Sequence, residues 1–183
     1  MGYWGYFVVG RGERPLPELE ALAAARDGLT RRASAPGGWQ VWEYPSSDGD
    51  IGNMNALAME TGAPALFGYV MNSECVVLEA AAPESGAWTT CLARSAMAGY
   101  VGAGREGLTL EDYFLEPGDA AERAVRWAAE AGCEVNADAL VDVLTSDPDP
   151  PPLSASLERG GGGGPLAENL LFRFLDRLGV VPL

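Results

Sequence analysis

The chain predicts an α+β fold: a central mixed β-sheet of about five strands with flanking helices, plus a C-terminal helix on a Pro/Gly-rich tether. Three observations carry that expectation. Residues Ala65–Leu92 hold three β-rich runs in succession, Ala65–Met71, Glu74–Ala80 and Ala87–Leu92. Two further aromatic-rich runs, Tyr3–Val9 and Trp39–Tyr44, flank an amphipathic stretch. Towards the C-terminus, apolar residues recur at helical spacing between capping and stop signals.

Taken in order, Tyr3–Val9 is a strand that stops at Gly10-Arg11-Gly12. Pro15 and Pro17 open a helix with Leu19, Leu22, Ala23 and Arg26 along one face, and Gly28 is its stop. Thr30–Gly38 is polar and small, a connection. Trp39–Tyr44 is the second strand, and a β-α-β order predicts parallel pairing through a right-handed crossover. Pro45–Gly52 is a turn-rich loop, after which Met54, Leu57 and Ala58 mark a short helix ended by Gly62 and Pro64.

Asn72-Ser73 is expected to be a two-residue hairpin turn. With Met71 opposite Glu74, Phe67, Tyr69, Val76 and Leu78 share one face. Leu66, Val70, Cys75 and Val77 share the other, with Glu79 among them. Apolar side chains on both faces place this hairpin in the middle of the sheet.

Arg94–Val101 is a short helix and Gly102–Gly107 a loop. Asp119 and Glu122 have capping-box spacing ahead of the buried stripe Ala121, Ala124, Val125 and Ala128. Asn136 caps a helix with Ala137, Leu140, Val141 and Leu144 on one face. Composition then changes: Asp147–Pro152 is stiff and acidic, and Gly160–Gly164 is five glycines. The chain divides into an α+β domain (1–146), a linker (147–164) and an amphipathic helix (165–183). In that helix Leu171, Phe174, Leu175 and Leu178 fall at i, i+3, i+4 and i+7, a stripe expected to dock on its own domain by default, with docking on a partner the alternative.

Composition excludes whole classes of chemistry. There is no histidine, and all 12 basic residues are arginine. Ser-His-Asp and Cys-His catalysis, the usual zinc sites, Schiff-base chemistry and the phosphate-loop lysine are therefore absent. A net charge of −14 argues against nucleic acid and anionic membrane surfaces as partners. No apolar run is long enough to span a bilayer. Met1-Gly2-Tyr3-Trp4 lacks the basic start of a signal peptide, so a cytoplasmic location is expected. Three cysteines, two of them inside apolar runs, suit buried thiols better than disulfides.

The carboxylates nearest the presumed sheet are Glu43, Asp48, Asp50, Glu74 and Glu79. A converging pair could work as acid and base or hold magnesium. Glu79, on an otherwise apolar face, is the one whose burial would raise its pKa. Asp48-Gly49-Asp50 with Asn53 and Glu60 imitates a calcium loop, but Gly52 occupies a ligand position and Glu60 falls one residue late. No metal site or cofactor is expected. Gly102-Ala103-Gly104-Arg105-Glu106-Gly107 matches a dinucleotide fingerprint in letters only, lacking the strand before it. Gly10-Arg11-Gly12 is a turn whose amides could meet an anion. Trp4, Tyr6, Trp39, Trp42 and Trp88 could line a pocket, though filling a core is their commoner use.

Two function classes follow. The first is a non-catalytic, acidic, cytoplasmic interaction module that binds a basic protein partner through its anionic surface or its tethered helix. Immunity and antitoxin proteins share that charge and size, an analogy and no more. The alternative is a carboxylate-dependent hydrolase or small-ligand binder using Glu43, Glu79 or the Asp48–Asp50 loop.

Overall fold

The structure, a computed structural model, describes residues 2–46, 51–104, 109–146 and 167–181. Among these residues six strands form one sheet: β1 (Gly5–Arg11), β2 (Thr30–Ala35), β3 (Trp39–Tyr44), β4 (Ala65–Met71), β5 (Cys75–Ala82) and β6 (Gly86–Leu92). Their order is β2-β3-β1-β4-β5-β6, and every neighbouring pair is antiparallel. The described helices are α1 (Met54–Thr61), α2 (Arg94–Gly104), α3 (Pro117–Glu130), α4 (Ala137–Leu144) and α5 (Ala167–Leu178). The α+β class stands, but the sheet is antiparallel rather than mixed and has one strand more than expected.

The extra strand is β2. Thr30, Arg31, Arg32 and Ser34 are all exposed, so the segment has no apolar alternation to mark it. Pro36-Gly37-Gly38 turns the chain, with φ of 87° and 86° at the two glycines. That hairpin returns β3 antiparallel to β1, with Tyr6 opposite Tyr44, so the expected parallel crossover does not form. As a sheet edge, β2 is blunted by a bulge between Arg31 and Ala33 and by its arginines. Arg31 lies over Trp42 at 5.0 Å, and Arg32 pairs with Glu43 at 3.3 Å.

The stretch expected to be an α-helix after Pro15 forms two 3₁₀ segments, Leu16–Glu18 and Glu20–Gly28. Leu16, Leu19, Leu22 and Ala25 recur every third residue and are all buried, whereas Ala23 is exposed. A repeat of three matches a helix of three residues per turn, in which side chains eclipse at i and i+3. Glu60 of α1 caps this segment by accepting from the Glu20 and Ala21 amides at 3.1 and 2.9 Å.

The central hairpin is slipped by one residue from the expected register. Met71 pairs with Cys75, and Asn72, Ser73 and Glu74 form a three-residue loop with φ of 55° and 56° at Asn72 and Ser73. A one-residue slip reverses the facing of the second strand. Val76 and Leu78 therefore join Leu66 and Val70 in the main core, under α3, α4 and α5. Glu79 moves to the side of Phe67, its directly opposed neighbour. On that second face, Phe67 packs with Leu16, Leu22, Met54 and Leu57.

Pro117 sits at the first position of α3 with Glu116 as its N-cap, so the helix begins ahead of Asp119 and the expected Asp119–Glu122 box is not used. A capping box forms instead at Thr109 and Asp112. Further along, Glu130 clamps the β5–β6 turn: its carboxylate accepts from the Glu84 and Ser85 amides, each at 2.8 Å, and from the Ser85 hydroxyl. Partial burial pushes its pKa up, but the Ser85 hydroxyl and the two amides outweigh that and hold it below the ordinary 4.5. A depressed folded-state pKa contributes stability above the unfolded-state value and loses it as pH falls through the folded one. Glu130→Gln is therefore expected to lower the urea midpoint at neutral pH and to narrow the gap from the parent as pH drops below 4.5. A gap independent of pH would refute the clamp.

The start of α5 is fixed at Ser73. The Ser73 N–H donates to Tyr3 O at 2.9 Å, and Ser73 O accepts from the Ala167 amide at 2.9 Å. Its hydroxyl accepts from the Tyr3 amide at 2.8 Å and donates to Glu168 at 3.1 Å. The stripe Leu171, Phe174, Leu175 and Leu178 is fully buried in the main core. The expected linker, 147–164, lies outside the described residues. Among the described residues, no helix is long and apolar enough to cross a membrane.

Candidate functional site

The sheet keeps Glu43 and Glu79 apart. Glu43 sits opposite Phe7 and Glu79 opposite Phe67. Phe7 belongs to the main core and Phe67 to the second one, so the two glutamates point to opposite faces. Glu74 accepts from Asn72 at 2.8 Å and from the Tyr100 hydroxyl at 3.2 Å. Asp48 and Asp50 lie outside the described residues. Of the other calcium-loop imitators, Asn53 caps α1, accepting from Asn55 and Ala56, and Glu60 caps the second 3₁₀ segment. No group of three metal-ligating side chains forms among the described residues.

The remaining motifs resolve as structure. Gly10 and Arg11 are the last residues of β1, paired with Gln40 and Trp39, rather than the expected turn, and the Gly12 amide beyond them donates to Gly38 O at 3.1 Å. Gln40 braces this end of the strand by donating to Gly12 O and Arg14 O at 3.0 and 2.9 Å. Gly102, Ala103 and Gly104 extend α2 rather than opening a loop. Burial pushes the Cys75 thiol up to about 12. Cys91 rises to about 11 for the same reason, despite Arg94 nearby, so neither is a thiolate nucleophile at neutral pH. Trp39 packs on Trp127 at 5.8 Å, and Tyr6 meets Phe67, Tyr69 and Tyr44 in a ring cluster. Tyr3 is held above its ordinary pKa by burial first and by the neighbouring Glu43 and Glu168 carboxylates second.

What the fold does assemble is a groove of about 630 Å³ beside β6. β6 is the other edge of the sheet, and residues Tyr113–Glu116 run along it as a strap. Leu115 N donates to Thr89 O at 3.0 Å, while Leu115 O accepts from the Thr90 hydroxyl at 3.0 Å and from Arg94 at 3.1 Å. Arg123 of α3 caps the edge further back, donating to Ser85 O and Ala87 O at 3.1 and 2.9 Å. These contacts close the strand edge to pairing and leave a trough between strap and helix.

The trough is lopsided in charge. Among the described residues four carboxylates line it, Glu111, Asp112, Glu116 and Asp119, against one guanidinium, Arg123. Glu111 pairs with Arg94 at 3.8 Å, and Asp112 accepts from the Thr109 amide at 2.7 Å. The side chains of Glu116 and Asp119 are exposed and have no ionic partner among the described residues. Tyr113, 52% exposed, stands on the rim. Trp88 lines the trough while only 5% exposed, and its indole Nε1 has no hydrogen-bond partner among the described residues; Arg123 Nε is likewise buried and unpartnered among them.

Sequence reasoning missed this site apart from Trp88. The available signal was the acidic density of Glu111-Asp112-Tyr113-Phe114-Leu115-Glu116-Pro117-Gly118-Asp119, interleaved with two aromatics. Fold and site together define an α+β protein with a helix-backed antiparallel sheet and an acidic trough on one edge. Comparison with protein-family models, curated proteins and solved structures gives no match.

Proposed function

We propose that this chain is a non-catalytic, acidic interaction module of the cytoplasm that binds a basic protein partner. The observation that carries it is the β6 trough, where Glu116 and Asp119 pair with no cation among the described residues, in a chain of net charge −14. Like charges gathered in a concave surface focus the field and steer an oppositely charged partner to it. The separation of Glu43 from Glu79 onto opposite faces gives the carboxylate-enzyme alternative no comparable support. The immunity or antitoxin analogy remains one of charge and size.

The test is capture on the immobilised full-length protein from lysate of its source cells. Retained proteins are expected to be basic and to elute as salt rises from roughly 0.05 to 0.5 M, where screening shortens to a few ångströms. With the purified partner, reversing Glu116 and Asp119 to arginine is expected to weaken binding by about ten-fold or more, mainly through the on-rate. A neutral or acidic partner held independently of salt would overturn the proposal.

A further inference from the structure

We propose that the β6 trough takes an arginine-bearing, extended peptide segment of that partner, reading a cation and a backbone carbonyl together. This rests on the basic-partner reading and narrows it to one site and one chemistry. The acidic side chains alone would accept any cation. The floor is more selective, because Trp88 is 5% exposed and its Nε1–H has no acceptor among the described residues. An indole N–H can only donate. Arg123 Nε–H, in the same trough, is a second buried donor without an acceptor.

A site that offers unused donors below and unneutralised carboxylates above asks for a ligand carrying both acceptors and positive charge. A metal ion or a polyamine brings charge without an acceptor. A nucleic acid brings acceptors, but its phosphates meet four carboxylates. A basic peptide brings both, its carbonyls for Trp88 and Arg123 and its side chain for Glu116 and Asp119. Arginine suits the rim better than lysine, since its flat guanidinium stacks on a ring such as exposed Tyr113 and pairs with carboxylates through two parallel bonds. Because the strap and Arg123 already occupy Thr89 O and Ala87 O, the peptide lies in the trough rather than adding a strand.

The test uses the full chain, with the five tryptophan indole N–H signals resolved by two-dimensional NMR. The probe is a blocked Gly-Arg-Gly-Arg-Gly peptide, compared with its lysine version and with spermine. The arginine peptide is expected to move the Trp88 indole signal saturably and to bind roughly ten-fold tighter than the lysine peptide. Spermine is expected to leave that signal in place. Glu116→Gln with Asp119→Asn should cost about ten-fold in affinity and flatten its salt dependence. Trp88→Phe should weaken the arginine peptide several-fold while preserving its preference over lysine. If Trp88→Phe does not fold, the exposed Glu116/Asp119 pair decides alone. Binding that leaves the Trp88 signal unmoved, or that survives the paired substitution, overturns the trough as the site. If that binding is instead lost on reversing Asp138 and Asp142 of α4, the basic-partner reading stands and only this inference falls. If no basic probe binds anywhere, both fall.

Discussion

Trp127→Ala is expected to lower the free energy of unfolding by about 3–5 kcal/mol, enough to unfold a marginal domain. Trp127 is fully buried on α3 and is among the largest side chains in the core. Its indole N–H donates to Ala65 O and Ala81 O, each at 3.1 Å. Those residues face each other across β4 and β5, so one donor ties the helix to both strands at a single rung. The ring also packs against Trp39 of β3 at 5.8 Å. Trp127→Phe separates the two contributions, since it keeps an aromatic ring but withdraws the donor from two buried carbonyls. It should cost about 1–3 kcal/mol, more than the size difference alone in a core that can relax. Denaturant midpoints of the three proteins provide the measurement. A phenylalanine variant within about 0.5 kcal/mol of the parent would show that the shared hydrogen bond contributes nothing net.

The α+β class was legible because the central strands and the last helices carry their own patterns. Phe7, Val8 and Val9 or Leu170, Leu171 and Phe174 are buried in the structure and apolar in the sequence. What failed was information stored elsewhere. β2 buries too little to show a period, and its existence depends on two left-handed glycines, Gly37 and Gly38. With β2 missed, the link from β1 to β3 read as a crossover, and the sheet as mixed. The hairpin register turned on Asn72 and Ser73, both at positive φ without being glycine, and one residue of slip moved Glu79 to the other face. The first helix was misjudged because its repeat of three was read against a period of 3.6.

The site was less legible still. A pair of carboxylates is informative only once sheet order and register are known, and these put β3 and β5 two strands apart with β1 and β4 between. The trough joins residues near position 88 to residues 111–123, across a strand edge, a strap and a helix start. Nothing local to Trp88 announces that its indole lacks an acceptor. Nothing local to Glu116 announces that no arginine among the described residues pairs with it.

Loss of the C-terminal helix is expected to abolish cooperative folding, and Phe174→Ala alone should cost about 3–5 kcal/mol. The sequence allowed this helix either to dock on its own domain or to serve a partner, and its stripe decides the energetics. Leu171, Phe174, Leu175 and Leu178 are fully buried, and Phe172 meets Phe7 of β1 edge-on at 5.2 Å. The sheet is shaped for it: a Cβ at Gly68 would lie 2.7 Å from both Leu171 methyls and 3.1 Å from Val76. Gly68→Ala therefore overpacks the seam, at about 1–3 kcal/mol, and Leu171→Ala in the same chain should recover part of that loss. A helix used as a detachable docking peptide would have to leave this seat, exposing the face of β4 that Leu66 and Val70 occupy. Hydrogen exchange tests that directly, because α5 amides are expected to exchange only with global unfolding. If they exchange several orders of magnitude faster than those of β1 and β4, the helix leaves its seat without unfolding the sheet, and its buried stripe is then free to meet a partner.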